Sequence, residues 1–302
     1  MTKRIFSILF TFWVSIQISC FAEPIVAEKT RLIETITNLD GLSHNNVHCV
    51  FQDSKGFLWI GTSAGLNRYD GKTFQVFKND PQNSKTISSN NIYGICEDQN
   101  QNIWVATEYG FNQITRDSYE CNRFYLDSIN NYSLEKNLIQ NIFCDNEGNI
   151  WIKSINSISH FILRTGEIKS YALETDIFRN DYEVNSYPIF QDSNGILWIG
   201  TENGLGYYEP LYDDFIFFKN DSYMKNSLSS NNVRSIYEDS HHNLWIGTQN
   251  GLNLFNKKTQ SFTSYFYSQK IQSNVNGIAE GYAPEGHSSN KLWITTESNG
   301  LY

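Results

Sequence analysis

The chain has 302 residues, 40% of them hydrophobic and 15% aromatic, with a formal charge of −9. This is ample material for a large core. An acidic balance without a long basic run excludes nucleic acid as a partner and argues against an anionic membrane surface, because both need clustered Lys and Arg.

The first residues read as a targeting segment. Lys3 and Arg4 form a basic start, Ile5 to Ile18 is mostly apolar, and Cys20-Phe21-Ala22 offers small residues for cleavage before Glu23. Residues 1–22 are therefore expected to be a signal peptide, with an uncleaved anchor or lipidation at Cys20 as alternatives. Loss of Lys3 and Arg4 takes the formal charge from −9 to −11. Export permits disulfides. Cys49, Cys96, Cys121 and Cys144 nevertheless occupy different positions in the repeats described next, and no Cys-x-x-Cys pair occurs. They are expected to be buried free thiols acting as small hydrophobes.

Beyond residue 31 one phrase repeats. Trp59, Trp104, Trp151, Trp198, Trp245 and Trp293 are spaced by 45, 47, 47, 47 and 48 residues. Asp53 to Leu66 reads Asp-Ser-Lys-Gly-Phe-Leu-Trp-Ile-Gly-Thr-Ser-Ala-Gly-Leu, and Asp192 to Leu205, Asp239 to Leu252 and Asp98 to Phe111 repeat it with small changes. A period of about 40–50 residues with a Trp-centred strand in each unit predicts an all-β fold, a β-propeller with one four-stranded blade per repeat. The first unit shows how. Val47 to Gln52 reads as strand A, Phe57 to Thr62 as B, Leu66 to Tyr69 as C and Thr73 to Lys78 as D, with Asp and Gly turns between them. Strand B, Leu-Trp-Ile, is apolar on both faces, as a strand sandwiched between neighbouring blades must be.

About six blades follow, at residues 42–80, 88–127, 135–174, 182–220, 228–267 and 272–302, within a propeller spanning 31–302. The sixth stops inside a strand C and lacks a strand D. Residues 31–37 are expected to supply it as a closing outer strand. The stop falls mid-phrase, so the chain is read as part of a longer protein.

Repetition also sorts candidate function from architecture. Asp53, Asp98, Asp145, Asp192 and Asp239 recur at every A–B turn and are read as turn-makers, not as an acid ring. Asn45, Asn90, Asn137 and Asn231 recur before strand A and are expected to cap the blade entry. The variable places are the B–C turns and the D–A connections, expected on one face. Glu108, Tyr109, Glu202, Asn203, Gln249 and Asn250 lie there and carry the amides, carboxylates and stacking ring that sugar hydroxyls and faces require. Glu297 to Asn299 occupies the same turn in the sixth blade. Lys153 stands where other blades have Gly or Ala, so it is expected to bind an acidic sugar, pair with a carboxylate or snorkel to water. The sixth blade carries an insertion, Tyr282 to His287, and His241-His242 sits in an A–B turn without further ligands nearby. No catalytic residue, metal or cofactor is assigned.

The phrase Asp-x-x-Gly-x-Leu-Trp-Ile-Gly-Thr-x-x-Gly-Leu, preceded by Gly-Leu-Ser-x-Asn-x-Val at Gly41 to Val47, resembles the two-component regulator propeller repeat. The resemblance implies the periplasmic sensor of a Bacteroidetes hybrid two-component system. In that family two seven-bladed propellers precede a β-sandwich, a membrane helix and a histidine kinase. It further implies an oligosaccharide ligand, control of polysaccharide-utilisation genes, the downstream propeller, sandwich and kinase as partners of this segment, and a homodimer. The rival readings are a propeller lyase or hydrolase, a quinoprotein, or a protein–protein scaffold.

Overall fold

The computed structural model describes residues 35–126, 139–173, 187–265, 274–281, 291–297 and 300–301. The expected signal peptide, residues 31–34 of the expected closing strand, Asn137, the insertion from Tyr282 to His287, and Ser298 and Asn299 lie outside them. Among the described residues no helix is long and apolar enough to cross a membrane. From Ile36 onward the chain forms one compact unit.

That unit is an all-β propeller of six antiparallel sheets in sequence order, of which the first five run A-B-C-D from neighbour to neighbour. The first blade comprises Val47–Gln52, Leu58–Thr62, Gly65–Tyr69 and Phe74–Phe77. The second comprises Ile92–Glu97, Ile103–Thr107, Gly110–Ile114 and Cys121–Phe124, and the third Ile139–Cys144, Ile150–Ser154, Ser157–Ile162 and Glu167–Ala172. The fourth has Ile189–Gln191, Leu197–Thr201, Gly204–Glu209 and Asp214–Phe218, and the fifth Val233–Glu238, Leu244–Thr248, Gly251–Asn256 and Ser261–Tyr265. In the sixth, the described residues give three strands, Val275–Gly281, Lys291–Thr296 and Gly300–Leu301. Consecutive A strands pack on one another, which makes A the inner strand of each blade and D the outer.

Strand B forms the core. Trp59, Trp104, Trp151 and Trp198 are each no more than 3% exposed, whereas Trp293 is 46% exposed. The glycine after the Leu-Trp-Ile phrase allows the next blade to close in. A Cβ on Gly61 would stand 2.7 Å from Ile92 Cγ2 of blade 2, and one on Gly200 would stand 3.0 Å from Val233 Cγ1 of blade 5.

The recurrent Asp makes its turn and does more. In each of the first five blades its Oδ1 accepts from the backbone N–H groups two and four residues on, as Asp98 does from Asn100 and Asn102, both at 2.9 Å. Its Oδ2 accepts the indole N–H of the blade's tryptophan six residues away, at 2.8 Å in four blades and 3.1 Å for Trp198. One buried carboxylate thus holds both the A–B turn and the core indole. Gly281 takes its place in the sixth blade, where a Cβ would run into Trp293 Nε1.

Neighbouring blades are latched beside these turns. Ser54 donates through N and Oγ to Glu97, both at 2.8 Å, Ser193 donates to Glu238 at 2.7 and 3.0 Å, and Ser240 to Glu280, both at 2.8 Å. Asn146 N donates to Gln191 Oε1 at 2.8 Å. At the junction of blades 2 and 3 the acceptor's place is held by Cys144, and it is disulfide-bonded to Cys96 with a Cα–Cα distance of 5.9 Å. The expectation of four free thiols is corrected here. Cys49 and Cys121 are free, and burial raises their thiol pKa values to about 12 and about 11, but Cys96 and Cys144 form a covalent latch beside the hydrogen bond that Gln99 Nε2, at the serine's place, donates to Asn146 O at 2.6 Å.

Candidate functional site

The D–A connections and the B–C turns do share one face. Ser43, Ser88 and Ser229, on the D–A side, share hydroxyl hydrogen bonds of 2.8–2.9 Å with Thr62, Thr107 and Thr248 at the ends of strands B. Their backbone N–H groups donate to Asn67, Asn112 and Asn253 on strands C at 2.8–3.0 Å. Glu108 N and Gln249 N donate to Asn91 O and Asn232 O at 3.1 and 2.9 Å. The entry asparagines cap these connections. Asn90 Oδ1 accepts from Asn79 N at 2.8 Å, and Asn231 Oδ1 from Asn220 N at 2.6 Å.

On this face a cavity of about 350 Å³ opens between blades 4 and 5. It is lined by Glu202, Asn220, Ser229 to Asn232, Gln249 and Asn250. Three of the residues singled out from sequence therefore meet at one place. Asn232 is 9% exposed, and its buried Oδ1 has no hydrogen-bond partner among the described residues. An unsatisfied buried acceptor is costly and marks a position where a donor is expected. Asn203 adjoins Glu202 in the same turn, its N–H donating to Thr201 Oγ1 at 3.0 Å.

Glu108 and Tyr109 are not among the residues that line this cavity. On blade 2, Glu108 Oε2 accepts from Asn91 Nδ2 at 2.7 Å, and Tyr109 is 52% exposed. Their neighbour there is Tyr93, whose phenol is raised by burial and by the charges of Glu108 and Tyr109. The two halves of the expected site are therefore separate groups on one face.

Lys153 does not snorkel. It is 2% exposed, and its ammonium donates to Gln140 Oε1 at 3.0 Å and to Ser154 O at 3.1 Å. The ammonium also stands 5.0 Å from the Tyr187 ring centroid. Burial lowers its pKa to about 8, with Glu202 opposing the shift. The long stem offers no route to water because the residue replaces the inter-blade glycine.

One set of residues is missed by the phrase-by-phrase reading. Five positions before the turn Asp stand His48, Tyr93, Gln140, Tyr187 and Arg234, with Asn276 at the matching place of blade 6. These lie at the beginning of the inner strands, Tyr187 two residues ahead of its own, and two pairs meet across blades: the His48 and Tyr93 rings lie 5.3 Å apart, and the Arg234 guanidinium lies 5.8 Å from the Tyr187 centroid. The signal was chemical variety at a fixed offset inside an otherwise repeated phrase. His241 and His242 belong to the opposite face, where Ser193 Oγ and His242 Nδ1 are 3.0 Å apart.

The geometry defines a β-propeller with a structurally repeated A–B face and a variable polar face. The model of the two component regulator propeller matches residues 41–64, 86–109, 183–203 and 227–250, so these four segments resemble that repeat. A segment of 70 residues, 23% of the chain, is 39% identical to histidine kinase P4 of Formosa agariphila and covers 5% of that protein. Among solved structures, the extracellular domain assigned to a hybrid two component system of B. thetaiotaomicron is 27% identical, with a TM-score of 0.67 over 89% of this chain and 34% of that one. Virginiamycin B lyase from Staphylococcus aureus shares the fold at 16% identity, with a TM-score of 0.59 over 84% of this chain and 78% of the lyase. The chain thus spans a small part of the regulators it resembles.

Proposed function

We propose that this chain is the exported, periplasmic ligand-sensing propeller of a hybrid two-component regulator, that it performs no chemistry itself, and that its ligand is an oligosaccharide bound on the face of the D–A and B–C loops. The observation that carries the reading is the cavity of about 350 Å³ walled by amides, hydroxyls and one carboxylate. The volume falls in the range of small-ligand sites. Sugar hydroxyls both donate and accept, so they match a wall of Asn, Gln and Ser. Exposed Tyr109 offers a stacking ring elsewhere on the same face.

Signalling then follows from differential binding. A glycan that binds one arrangement of this propeller and its downstream propeller and sandwich better than another shifts their populations, and the kinase reads the shift. The response is control of polysaccharide-utilisation genes. Calorimetric titration of the purified chain against a glycan panel tests the site. Glu202→Ala and Gln249→Ala are expected to weaken binding by about tenfold each, the loss of one good hydrogen bond to a charged or polar group. Unchanged affinity in both variants would move the site off this face.

A further inference from the structure

Five of the inner strands bend at one place. The ladder between strands A and B passes over a single residue of A, which is His48, Tyr93, Gln140, Arg234 and Asn276 in blades 1, 2, 3, 5 and 6. Such a bulge takes its extra residue out of the pairing and re-aims the side chain. The bend recurs, but the residue on it differs in every blade. It is a fixed mount for variable chemistry, at the end of strand A from which the D–A connections arrive.

On blades 1 and 2 two of these mounts meet, with the His48 and Tyr93 rings 5.3 Å apart. Each also stands beside the B–C turn of its own blade. In blade 1, His48 Nε2 and Ser63 Oγ are 2.8 Å apart, and Asn46 Nδ2 donates to the same hydroxyl at 2.9 Å. Glu108 holds the place of Ser63 in blade 2. Asn91 Nδ2 donates to Glu108 Oε2 at 2.7 Å, as Asn46 does to Ser63, so the same geometry sets Tyr93 beside Glu108. Tyr109 follows Glu108 in the turn and is 52% exposed.

The blade does not need the charge of Glu108, because Ser63 makes the equivalent bond without one. Among the described residues no Lys or Arg pairs with this carboxylate. Its ring neighbours are neutral. Burial, and then the charge of His44, lowers the pKa of His48, so that imidazole is uncharged at neutral pH. Aromatic faces carry negative potential, and together with a carboxylate that lacks a cationic partner they attract a cation. The formal charge of −9 acts in the same sense.

We propose that His48, Tyr93, Glu108 and Tyr109 form a second subsite on the variable face, which takes the protonated amine of an amino-sugar unit. The inference rests on the glycan-sensing reading above and narrows it to glycans that carry free amines. Glu108 accepts from the ammonium through Oε1 while Asn91 holds Oε2. The rings cover the apolar face of the sugar and favour its positive end.

The test is calorimetric titration of the full chain with glucosamine oligomers and with their N-acetylated counterparts, in mildly acidic buffer that keeps the free amines protonated. The glucosamine set is expected to bind more tightly by about tenfold or more, and Glu108→Gln, which keeps an oxygen for Asn91, is expected to abolish that preference. Tyr109→Leu, at an exposed position, is expected to weaken glucosamine binding several-fold with an unchanged melting temperature. Equal or tighter binding of the N-acetylated set would overturn the cationic inference and leave glycan sensing standing. Glucosamine binding unchanged in both variants would refute the role given to these residues. Binding of neither set would also overturn this inference, whereas glycan sensing itself fails only if the wider glycan panel is silent too.

Discussion

Asp98→Ala probes how a blade is held together. The Asp98 carboxylate accepts from Asn100 N and Asn102 N at 2.9 Å, from Asn102 Nδ2 at 3.0 Å and from Trp104 Nε1 at 2.8 Å. Trp104 is 0% exposed, so water cannot replace the lost acceptor. Stranding a buried donor costs about 1–3 kcal/mol, and losing hydrogen bonds to a charged group adds a comparable amount, so about 3–4 kcal/mol is expected in all. Urea unfolding measures it as a shift in midpoint at constant slope. The same change in a Trp104→Phe background should cost about 1–3 kcal/mol less, because phenylalanine has no N–H to strand. Equal costs in both backgrounds would refute the claim that the carboxylate acts through the indole, and a cost below about 0.5 kcal/mol, the scale of surface changes, would refute the latch altogether.

Three further outcomes follow from the same geometry. Trp198→Ala, at a residue 2% exposed, should cost about 3–5 kcal/mol in the same assay, as large core truncations do. Reduction of the Cys96–Cys144 disulfide, which closes 48 residues of sequence, should cost about 2–4 kcal/mol, read as a lowered melting temperature absent from a Cys96→Ala/Cys144→Ala variant. Burial, opposed by the charge of Glu202, lowers the pKa of Lys153, which packs against Tyr187, to about 8 against a reference of 10.5. The unfolded chain therefore holds more protons between those values, and this group makes stability rise with pH from about 8 to about 10.5, by about 3 kcal/mol. Lys153→Met should abolish that rise, and a rise preserved in the variant would assign it to other groups.

The architecture was legible because its signals are local and repeated. The Trp-centred strand and the Asp-x-x-Gly turn each satisfy their own blade, and the Asn before strand A closes its own short connection, so spacing alone revealed them. The latches between blades were less legible, since Ser54 and Glu97 pair across 43 residues. Cys144 shows the same limit. It looked like a stray thiol because its meaning depends on the Glu, Gln and Glu that fill its place in neighbouring blades. The candidate face was half legible. Glu202, Gln249 and Asn250 share a cavity, but the sequence could not show that Glu108 and Tyr109 form a separate group. Lys153 was recognised as a departure from the repeat, but not as a buried one. Its environment is set by Gln140 and Tyr187 at an offset that the repeated phrase does not mark.

Hydrogen–deuterium exchange of the chain with and without a glycan that binds it tests the central claim most directly. Protection is predicted at Ser229 to Asn232 and at Gln249 and Asn250, with the A–B turns around Asp53 and Asp239 unchanged. Protection confined to those A–B turns, or to neither face, would contradict the assignment of the ligand to the variable polar face.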